Sequence, residues 1–262
     1  MRYGYCMDIG FLDGDAASRA VFEGVAEAGF DYVELPFYAL SACVKIDELK
    51  KTLRGAGLRC LACNIFFPSE IKLVGRDMDK PAIIKYLERM LPFAADLGVE
   101  TLVFGNGGAR RIPDGETRET VWGNLRWIVE KMDGYAGANG IRIAVEPLNA
   151  AETNMILSYT EAVDLTRGLT NAAAMIDTYH TLAEGRNYDD VLVYPDRLWH
   201  LHTAYSSKRF VPSPDDEAGW LGDLVKIIKS TGYDDKISIE GNLRAQADVK
   251  GALTALKKEM NG

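Results

Sequence analysis

Four side chains that can bind a metal or move a proton follow four apolar segments in the second half of the 262-residue chain. They are Glu146 after Ile-Ala-Val, Asp177 after Ala-Met-Ile, His202 after Trp-His-Leu, and Glu240 after Ile-Ser-Ile. Three carboxylates brought together raise one another's pKa unless a positive charge lies among them. Three oxygen ligands and one nitrogen ligand suit a divalent cation that prefers such donors. We therefore expect one divalent metal ion, Mn²⁺ first, with Mg²⁺, Co²⁺ or Zn²⁺ as alternatives.

The elements that must position these residues follow a repeated pattern in which a helical stretch ends in glycine and a short apolar segment follows. Glycine at the end of a helix adopts the left-handed conformation at little cost, so each instance indicates a helix that leads into a strand. Eight strands are predicted to begin near Tyr3, Tyr32, Arg59, Thr101, Arg142, Ala173, Leu198 and Lys236. Helices are predicted over 18–28, 81–97, 117–135, 160–169 and 220–231, with a short one within 188–193, and Ser158 to Glu161 reads as a capping box.

Eight strand–helix units in this length favour an α/β fold, a closed (β/α)₈ TIM barrel formed by a single domain over 1–262. An open Rossmann sheet would carry a phosphate-binding fingerprint after its first strand, and Asp8-Ile-Gly-Phe is not one. The long irregular stretches 64–77, 105–116 and 204–219 all follow strands. They are expected at the catalytic face of the barrel, around a substrate pocket with a lid.

Several other residues favour structural interpretations. Glu34, at the end of the second strand, is expected to cap a helix or pair with an arginine. His200 shares a strand face with His202 and is expected to be a hydrogen-bonded core residue rather than a ligand. Cys60 and Cys63 lie in an apolar segment, three apart, so they are expected on opposite faces of a strand as buried reduced thiols.

The overall composition excludes some classes of function. The formal net charge is −8 and no basic stripe is present, so a nucleic-acid partner is not expected. No segment approaches the roughly 20 apolar residues of a membrane span, and the N-terminal residues lack a signal-peptide pattern. We expect a cytoplasmic protein without a membrane partner.

Three motifs add a family resemblance: Glu146-Pro-Leu-Asn-Ala-Ala-Glu152, Asp177-Thr-Tyr-His180 and His200-Leu-His202. They resemble those of the xylose-isomerase-like sugar isomerases and epimerases, and are most similar to the D-tagatose and D-psicose 3-epimerase branch. The resemblance implies that Glu146, Asp177, His202 and Glu240 bind the metal. It also implies that Glu152 and His180 contact substrate hydroxyls. The family often has an arginine six residues after the metal histidine. Lys208 stands there, and Arg209 is favoured as its counterpart with a one-residue insertion.

The chain also departs from that family pattern. Tyr205 stands where the family commonly has an acid, and Pro212-Ser-Pro214 replaces the family's Pro-Gly-x-Gly. The loop that contains Gly105 and Arg110 is unlike that of free-ketose epimerases. It could grip a phosphate or carboxylate, or it could simply turn the fourth strand and leave its arginines in solvent, which is the slightly favoured interpretation.

The resulting hypothesis is a metal-dependent isomerase or epimerase that acts on a sugar or sugar derivative. Glu146 and Glu240 are the expected acid/base pair, moving a proton next to a carbonyl through an enediolate. The alternatives are a keto-inositol-type dehydratase on the same metal site and, behind it, an AP-endonuclease-like hydrolase or a non-catalytic sugar binder. A small carbohydrate is the expected partner. Barrels of this family often form homodimers or homotetramers, and the sequence favours neither.

Overall fold

The computed structural model describes residues 1–7, 16–42, 46–68, 70–205, 208–242 and 248–261. Eight parallel strands form a closed barrel in which each strand pairs with the next and the last pairs with the first. The strands are β1 Arg2–Cys6, β2 Tyr32–Pro36, β3 Cys60–Asn64, β4 Thr101–Phe104, β5 Arg142–Val145, β6 Ala172–Asp177, β7 Leu198–Thr203 and β8 Lys236–Ile239. The predicted barrel is confirmed, and every predicted strand start lies within one residue of the observed one.

Helices connect the strands of the barrel. They are α1 Ala16–Ala28, α2 Phe37–Ala42, α3 Ile46–Gly55, α4 Lys80–Leu97, α5 Gly107–Arg110, α6 Arg118–Ala138, α7 Tyr159–Leu165, α8 Thr178–Ala183, α9 Asp189–Val193, α10 Gly222–Thr231 and α11 Asp248–Asn261. The helix predicted over 160–169 ends earlier, at Leu165. One short helix was predicted after the sixth strand, and the structure has two there, α8 and α9. The stretch 105–116, predicted to be irregular, contains α5.

The glycines that predicted the helix ends have the backbone conformation that the argument requires. All five have positive φ angles: Gly29, Gly57, Gly98, Gly140 and Gly232. Ser158 Oγ accepts a hydrogen bond from the backbone N–H of Glu161 at 3.2 Å, as a cap should. In a capping box the glutamate side chain also accepts a hydrogen bond from the backbone N–H of the capping serine. Here Glu161 Oε2 accepts from the backbone N–H of Leu157, one residue before Ser158. The cap is confirmed with this one shift.

Strand periodicity determines which side chains point into the barrel. Residues two apart share a face, so each of five polar residues at or just after a strand end has a partner two positions earlier along the chain. These pairs are Tyr32 and Glu34, Ala144 and Glu146, Met175 and Asp177, His200 and His202, and Ser238 and Glu240. Gly4 makes room for one of them, because a Cβ atom at Gly4 would lie 2.2 Å from the ring of Tyr32. Tyr32 Oη in turn lies 2.8 Å from Ser238 Oγ across the barrel.

A charged cluster closes the opposite end of the barrel, where the strands begin. Lys236 is fully buried, with Nζ 3.0 Å from Asp235 Oδ1 and 3.3 Å from Glu100 Oε2. Arg2 and Arg142 also pair with Asp235. Burial alone would raise the pKa of Asp235, but the hydrogen bond from Arg2 and the charge of Lys236 hold it well below its usual value. This cluster ties β1, β5 and β8 together, away from the predicted site.

The cysteine pair of β3 differs from the expectation. Cys60 and Cys63 are buried free thiols, as expected. Their side chains do not point to opposite faces of the strand, because their sulfur atoms lie 3.6 Å apart. The pairing of β2 with β3 shifts register between Val33 and Glu34, and this irregularity breaks the simple alternation at the start of β3. Cys43 and the segment 8–11 lie outside the described residues.

Across the described ranges, no helix combines the length and hydropathy of a membrane-spanning segment.

Candidate metal and substrate site

The four predicted metal ligands converge at the end of the barrel where the strands finish. Glu146 directly follows β5, Asp177 ends β6, His202 lies in β7 and Glu240 directly follows β8. One ligand atom from each residue can be chosen so that all four atoms lie within 4.8 Å of one another. The structure therefore brings the predicted set together as a group that could hold a metal ion.

His202 stands at the centre of this group. Its Nδ1 atom lies 3.2 Å from Glu146 Oε1 and 3.0 Å from Glu240 Oε2. Asp177 uses Oδ1 to accept a hydrogen bond from the N–H of Tyr179 at 2.8 Å. Its other oxygen, Oδ2, is buried and has no hydrogen-bond partner among the described residues. A buried carboxylate oxygen without a donor, beside two more carboxylates and an imidazole, fits a divalent cation.

The carboxylates perturb one another as expected for a group built around a positive charge. Burial, followed by the charges of Glu240 and Glu146, raises the pKa of Asp177 to about 8. Burial also raises the pKa of Glu146. Burial would do the same to Glu240, but the charge and hydrogen bond of His202, with the charge of Arg209, hold its pKa at about 2. The pKa values of Asp177 and Glu146 are raised, whereas that of Glu240, the acid nearest to His202 and Arg209, is lowered. Whether each of these carboxyl groups is ionised therefore depends on the positive charge close to it.

Glu34 does not cap a helix or pair with an arginine, so both expected roles were wrong. It is fully buried inside the barrel, where Oε1 lies 2.9 Å from His202 Nε2 and Oε2 lies 2.9 Å from His200 Nε2. Ser238 Oγ donates to the same Oε2 at 2.6 Å. The expectation for His200 is confirmed, since it is a buried histidine bonded to Glu34. Glu34 thereby fixes the ring of His202 with Nδ1 facing Glu146 and Glu240.

The residues expected to contact substrate surround a cavity of about 330 Å³ next to the four ligands. Its lining includes Glu146, Glu240, Glu152, His180 and Arg209. His180 Nδ1 faces the backbone N–H of Asn149 at 3.2 Å, and this bond fixes Nδ1 as the acceptor and leaves the hydrogen on Nε2. Burial, with the charge of Arg209 in addition, lowers the pKa of His180 to about 3. His180 is therefore neutral at this wall, and its Nε2 atom lies 3.5 Å from Asp177 Oδ2.

Arg209 links the substrate wall to the ligand group. Its Nη2 atom lies 2.8 Å from Glu240 Oε2, and its Nη1 atom lies 3.7 Å from Glu152 Oε1. The guanidinium also stacks on the ring of Tyr179, with 4.9 Å to the ring centre. The residue has a positive φ of 54°, an uncommon conformation for a residue other than glycine. This backbone turn directs the side chain toward the carboxylates.

The loop after β4 holds Glu146 in position. Arg110 is fully buried and donates to the carbonyl oxygens of Phe104 and Glu146, at 3.1 and 2.5 Å. The expectation of a solvent-exposed arginine was therefore wrong for Arg110, whose donors bind the backbone at the ends of β4 and β5. Gly105 has a steric role, because a Cβ atom there would lie 1.8 Å from Glu146 Oε2. The loop thus fixes where Glu146 stands.

Sequence reasoning gave Asn64 no polar role, and it misassigned Glu34. Asn64 ends β3, and its Nδ2 donates to Glu240 Oε1 at 3.1 Å. The sequence did mark position 64 as the start of a long loop after a strand, which is a signal for a site residue in a barrel. Glu34 carried the same strand-end signal. Its histidine partners belong to a strand 166 and 168 residues further along the chain, so the pairing was not visible.

Comparison with known proteins agrees with the fold and the motifs. The model of the xylose isomerase-like TIM barrel family matches residues 22–259. An L-ribulose 3-epimerase of Methylomonas sp. (strain DH-1) is 26% identical over 228 residues, which cover 81% of this chain and 75% of that protein. The solved structure of a 3-keto-D-glucoside 4-epimerase from E. coli superposes with a TM-score of 0.82 at 20% identity, over 98% of this chain and 99% of that one.

A D-allulose 3-epimerase from Methylomonas sp. superposes with a TM-score of 0.79 at 22% identity, over 99% of this chain and 98% of that one. The family model covers nearly the whole chain. This protein therefore belongs to the xylose isomerase-like TIM barrel family. The relatives named above are sugar epimerases.

Proposed function

We propose that this protein is a divalent-metal-dependent epimerase or isomerase that moves a proton next to the carbonyl of a sugar or sugar derivative. The observation that carries the proposal is the approach of Glu146 and Glu240 to the same nitrogen of His202 from two different strands, beside a cavity. Epimerisation needs one group to remove a carbon-bound proton and another to return a proton to the opposite face. The names of the relatives agree with this class of reaction.

The metal would be held by Glu146, Asp177, His202 and Glu240, and Mn²⁺ is our first choice. A divalent ion held there would supply positive charge next to the carbonyl of the sugar. Glu146 and Glu240 flank the reacting carbon and exchange its proton, each through one carboxylate oxygen. Glu152, the Nε2 hydrogen of His180 and the guanidinium of Arg209 bind and orient the oxygens of the sugar. Arg110 and Gly105 hold Glu146 in position through its carbonyl and its carboxylate.

Proton exchange with solvent tests the proposal directly. The chain, loaded with Mn²⁺, is incubated in D₂O with L-ribulose, D-allulose and a 3-keto-D-glucoside. Deuterium at a single carbon and the appearance of the epimer are followed by NMR. Glu146→Gln and Glu240→Gln are expected to abolish exchange and to keep the fold. Exposed Glu130, which pairs with Arg126 on the surface, provides the matched control Glu130→Gln. Full turnover in either site variant would contradict the acid/base assignment.

The same experiment separates the alternatives. A dehydratase would give a product that has lost water, and a non-catalytic binder would give neither exchange nor product. An AP-endonuclease-like enzyme would need a three-zinc cluster with several histidines. The chain has three histidines, and His200 is occupied by Glu34. Metal analysis of the purified chain should therefore find about one ion per chain. Three zinc ions would favour the hydrolase.

A further inference from the structure

Cys6 brings a thiol to the inner face of the barrel, and the proposed function gives this thiol no role. It ends β1, where it pairs in register with Glu34 of β2, so the two side chains lie on the same face of the sheet. That face is the interior, because a Cβ atom at Gly4, two residues earlier, would meet the ring of Tyr32. Cys6 is a free thiol, it is partly exposed, and it lines the cavity beside the site.

Cys6, Glu34 and His202 lie close enough together to bind one metal ion. The sulfur, a carboxylate oxygen and an imidazole nitrogen all lie within 4.8 Å of one another. Glu34 Oε1 and His202 Nε2 are 2.9 Å apart. A tetrahedral zinc ion, with bonds of about 2.0–2.3 Å, keeps its ligand atoms about 3.3–3.6 Å apart. An ion would therefore replace the hydrogen between Glu34 and His202, and the sulfur would approach by roughly 1 Å or less.

The donor atoms of this set differ in kind from those of the ligand group formed by Glu146, Asp177, His202 and Glu240. One set offers a sulfur, a nitrogen and an oxygen, and the other offers a nitrogen and three oxygens. A thiolate prefers thiophilic ions such as Zn²⁺ and Cd²⁺ over Mn²⁺. Three protein ligands and one water are a common arrangement for zinc, and the cavity beside Cys6 gives water access.

His202 belongs to both sets, and each set needs a different nitrogen of its ring. Nδ1 lies 3.2 Å from Glu146 Oε1 and 3.0 Å from Glu240 Oε2, so a metal in the ligand group would bind Nδ1. Nε2 then carries the hydrogen and donates it to Glu34. An ion beside Cys6 would bind Nε2 instead and leave the hydrogen on Nδ1. A neutral imidazole thus serves one of the two ions at a time.

We propose that Cys6, Glu34 and His202 form an inhibitory site for a thiophilic divalent ion, which competes with the catalytic metal for the ring of His202. The inference rests on the proposed function, because it takes the ligand group as the place of the catalytic metal. It goes further by assigning a second site of different metal preference. An ion in that site removes one of the four ligands of Mn²⁺, so Mn²⁺ should leave and proton exchange should stop.

A titration with Cd²⁺ tests the site with a readout that does not depend on activity, because a thiolate bound to Cd²⁺ absorbs in the ultraviolet. The chelator-treated chain is first loaded with one equivalent of Mn²⁺. Absorbance then reports the bond to sulfur, and electron paramagnetic resonance reports the release of Mn²⁺. Deuterium exchange into the sugar in D₂O reports activity. The absorbance that depends on Cys6 should rise as Mn²⁺ is released and as exchange is lost.

The variants separate Cys6 from the other thiols. Cys6→Ser keeps the size of the side chain but removes the sulfur, so it should lose this absorbance and need about ten-fold more Cd²⁺ to release half of the Mn²⁺. Cys6→Ala serves as a second variant, and thermal unfolding establishes that each variant is folded. Cys63, a buried free thiol whose sulfur lies against that of Cys60, gives the control Cys63→Ser. This control should release Mn²⁺ at the same Cd²⁺ concentration as the unaltered chain.

The possible outcomes separate this inference from the proposed function. If both Cys6 variants release Mn²⁺ at the same Cd²⁺ concentration as the unaltered chain, Cd²⁺ simply replaces Mn²⁺ in the ligand group. That result would overturn the inference and leave the proposed function intact, as would absorbance that depends on Cys6 while Mn²⁺ stays bound. Release of Mn²⁺ that depends on Cys6, in a chain that exchanges no protons, would support the second site and contradict the proposed function. A chain that binds no Mn²⁺ would overturn both.

Discussion

Glu34 Oε1 lies 2.9 Å from Nε2 of His202, inside the barrel and below the ligand group. This contact leaves the other nitrogen of His202, Nδ1, facing Glu146 and Glu240. Burial alone would lower the pKa of His202, but the charges of Glu34 and Glu240 outweigh it and raise that pKa well above its usual value. A histidine oriented in this way by a carboxylate is a common feature of metal sites in proteins.

Glu34→Gln is expected to weaken Mn²⁺ binding by about 10- to 100-fold, because the amide neither fixes the ring nor supports its basicity as a carboxylate does. Calorimetric titration of the chelator-treated chain with Mn²⁺ measures the effect. The surface variant Glu130→Gln should bind Mn²⁺ like the unaltered chain. Equal affinity in Glu34→Gln would show that His202 needs no such support.

Gly105→Ala is expected to displace the carboxylate of Glu146, because the added Cβ would lie 1.8 Å from Oε2. We expect proton exchange to fall by about 100-fold, the loss typical of a misplaced catalytic group. Gly24→Ala is the matched control, since nothing lies within 4 Å of a Cβ at this exposed position in α1. It should keep full activity and gain about 0.5–1 kcal/mol of stability, as expected for alanine in a helix. Full activity in Gly105→Ala would show that Glu146 tolerates displacement.

The thermal stability of the metal-free chain should fall as the pH rises from about 7 to about 8. Asp177 has a pKa raised from 3.8 to about 8 in the folded chain, so in this range the folded state holds a proton that the unfolded state has lost. The free energy of unfolding then decreases with increasing pH. The raised pKa values of Glu146 and His202 act in the same direction. The lowered pKa values of His180 and His200 act in the opposite direction, but only up to about pH 7, where the unfolded chain has also lost these protons.

Metal should reverse this trend, because a bound cation replaces the protons. The increase in the unfolding temperature on adding Mn²⁺ should therefore be larger at about pH 8 than at about pH 6. Scans with EDTA and with Mn²⁺ at both pH values measure this difference. Asp177→Asn should flatten the pH dependence of the metal-free chain and lose most of the increase given by Mn²⁺. A metal-induced increase that is the same at both pH values would contradict the prediction.

Asp235→Asn is expected to destabilise the chain at neutral pH by about 1–2 kcal/mol, the usual effect of losing hydrogen bonds to charged groups. The pKa of Asp235 is held well below its usual value in the folded chain, so its contribution to stability is present above about pH 4 and is lost as the pH falls. The difference in unfolding free energy between the variant and the unaltered chain should thus shrink at about pH 3. Because Asp235 lies at the far end of the barrel, Mn²⁺ affinity should not change.

Much of the molecule could be predicted because the relevant signals are local in the sequence. The end of a helix is marked by a glycine, and the start of a strand by the apolar residues that follow it. The candidate metal ligands come at the ends of predicted strands, and a barrel requires those ends to meet. Glu146, Asp177, His202 and Glu240 could therefore be grouped without coordinates. The short helices α5 and α8 were missed because packing at the barrel end forms them, and no strong periodic pattern precedes them.

The sequence by itself determined the barrel, its strand order and the set of four candidate ligands, since apolar periodicity and turn residues act over a few neighbouring positions. Only the tertiary structure decided what supports that set. Glu34 reaches His200 and His202, Asn64 reaches Glu240, and Arg110 binds the carbonyl of Glu146. These contacts join residues 36 to 176 positions apart. Their partners are set by closure of the barrel and by the exclusion of water, which obliges each buried polar atom to find a partner in space rather than in sequence.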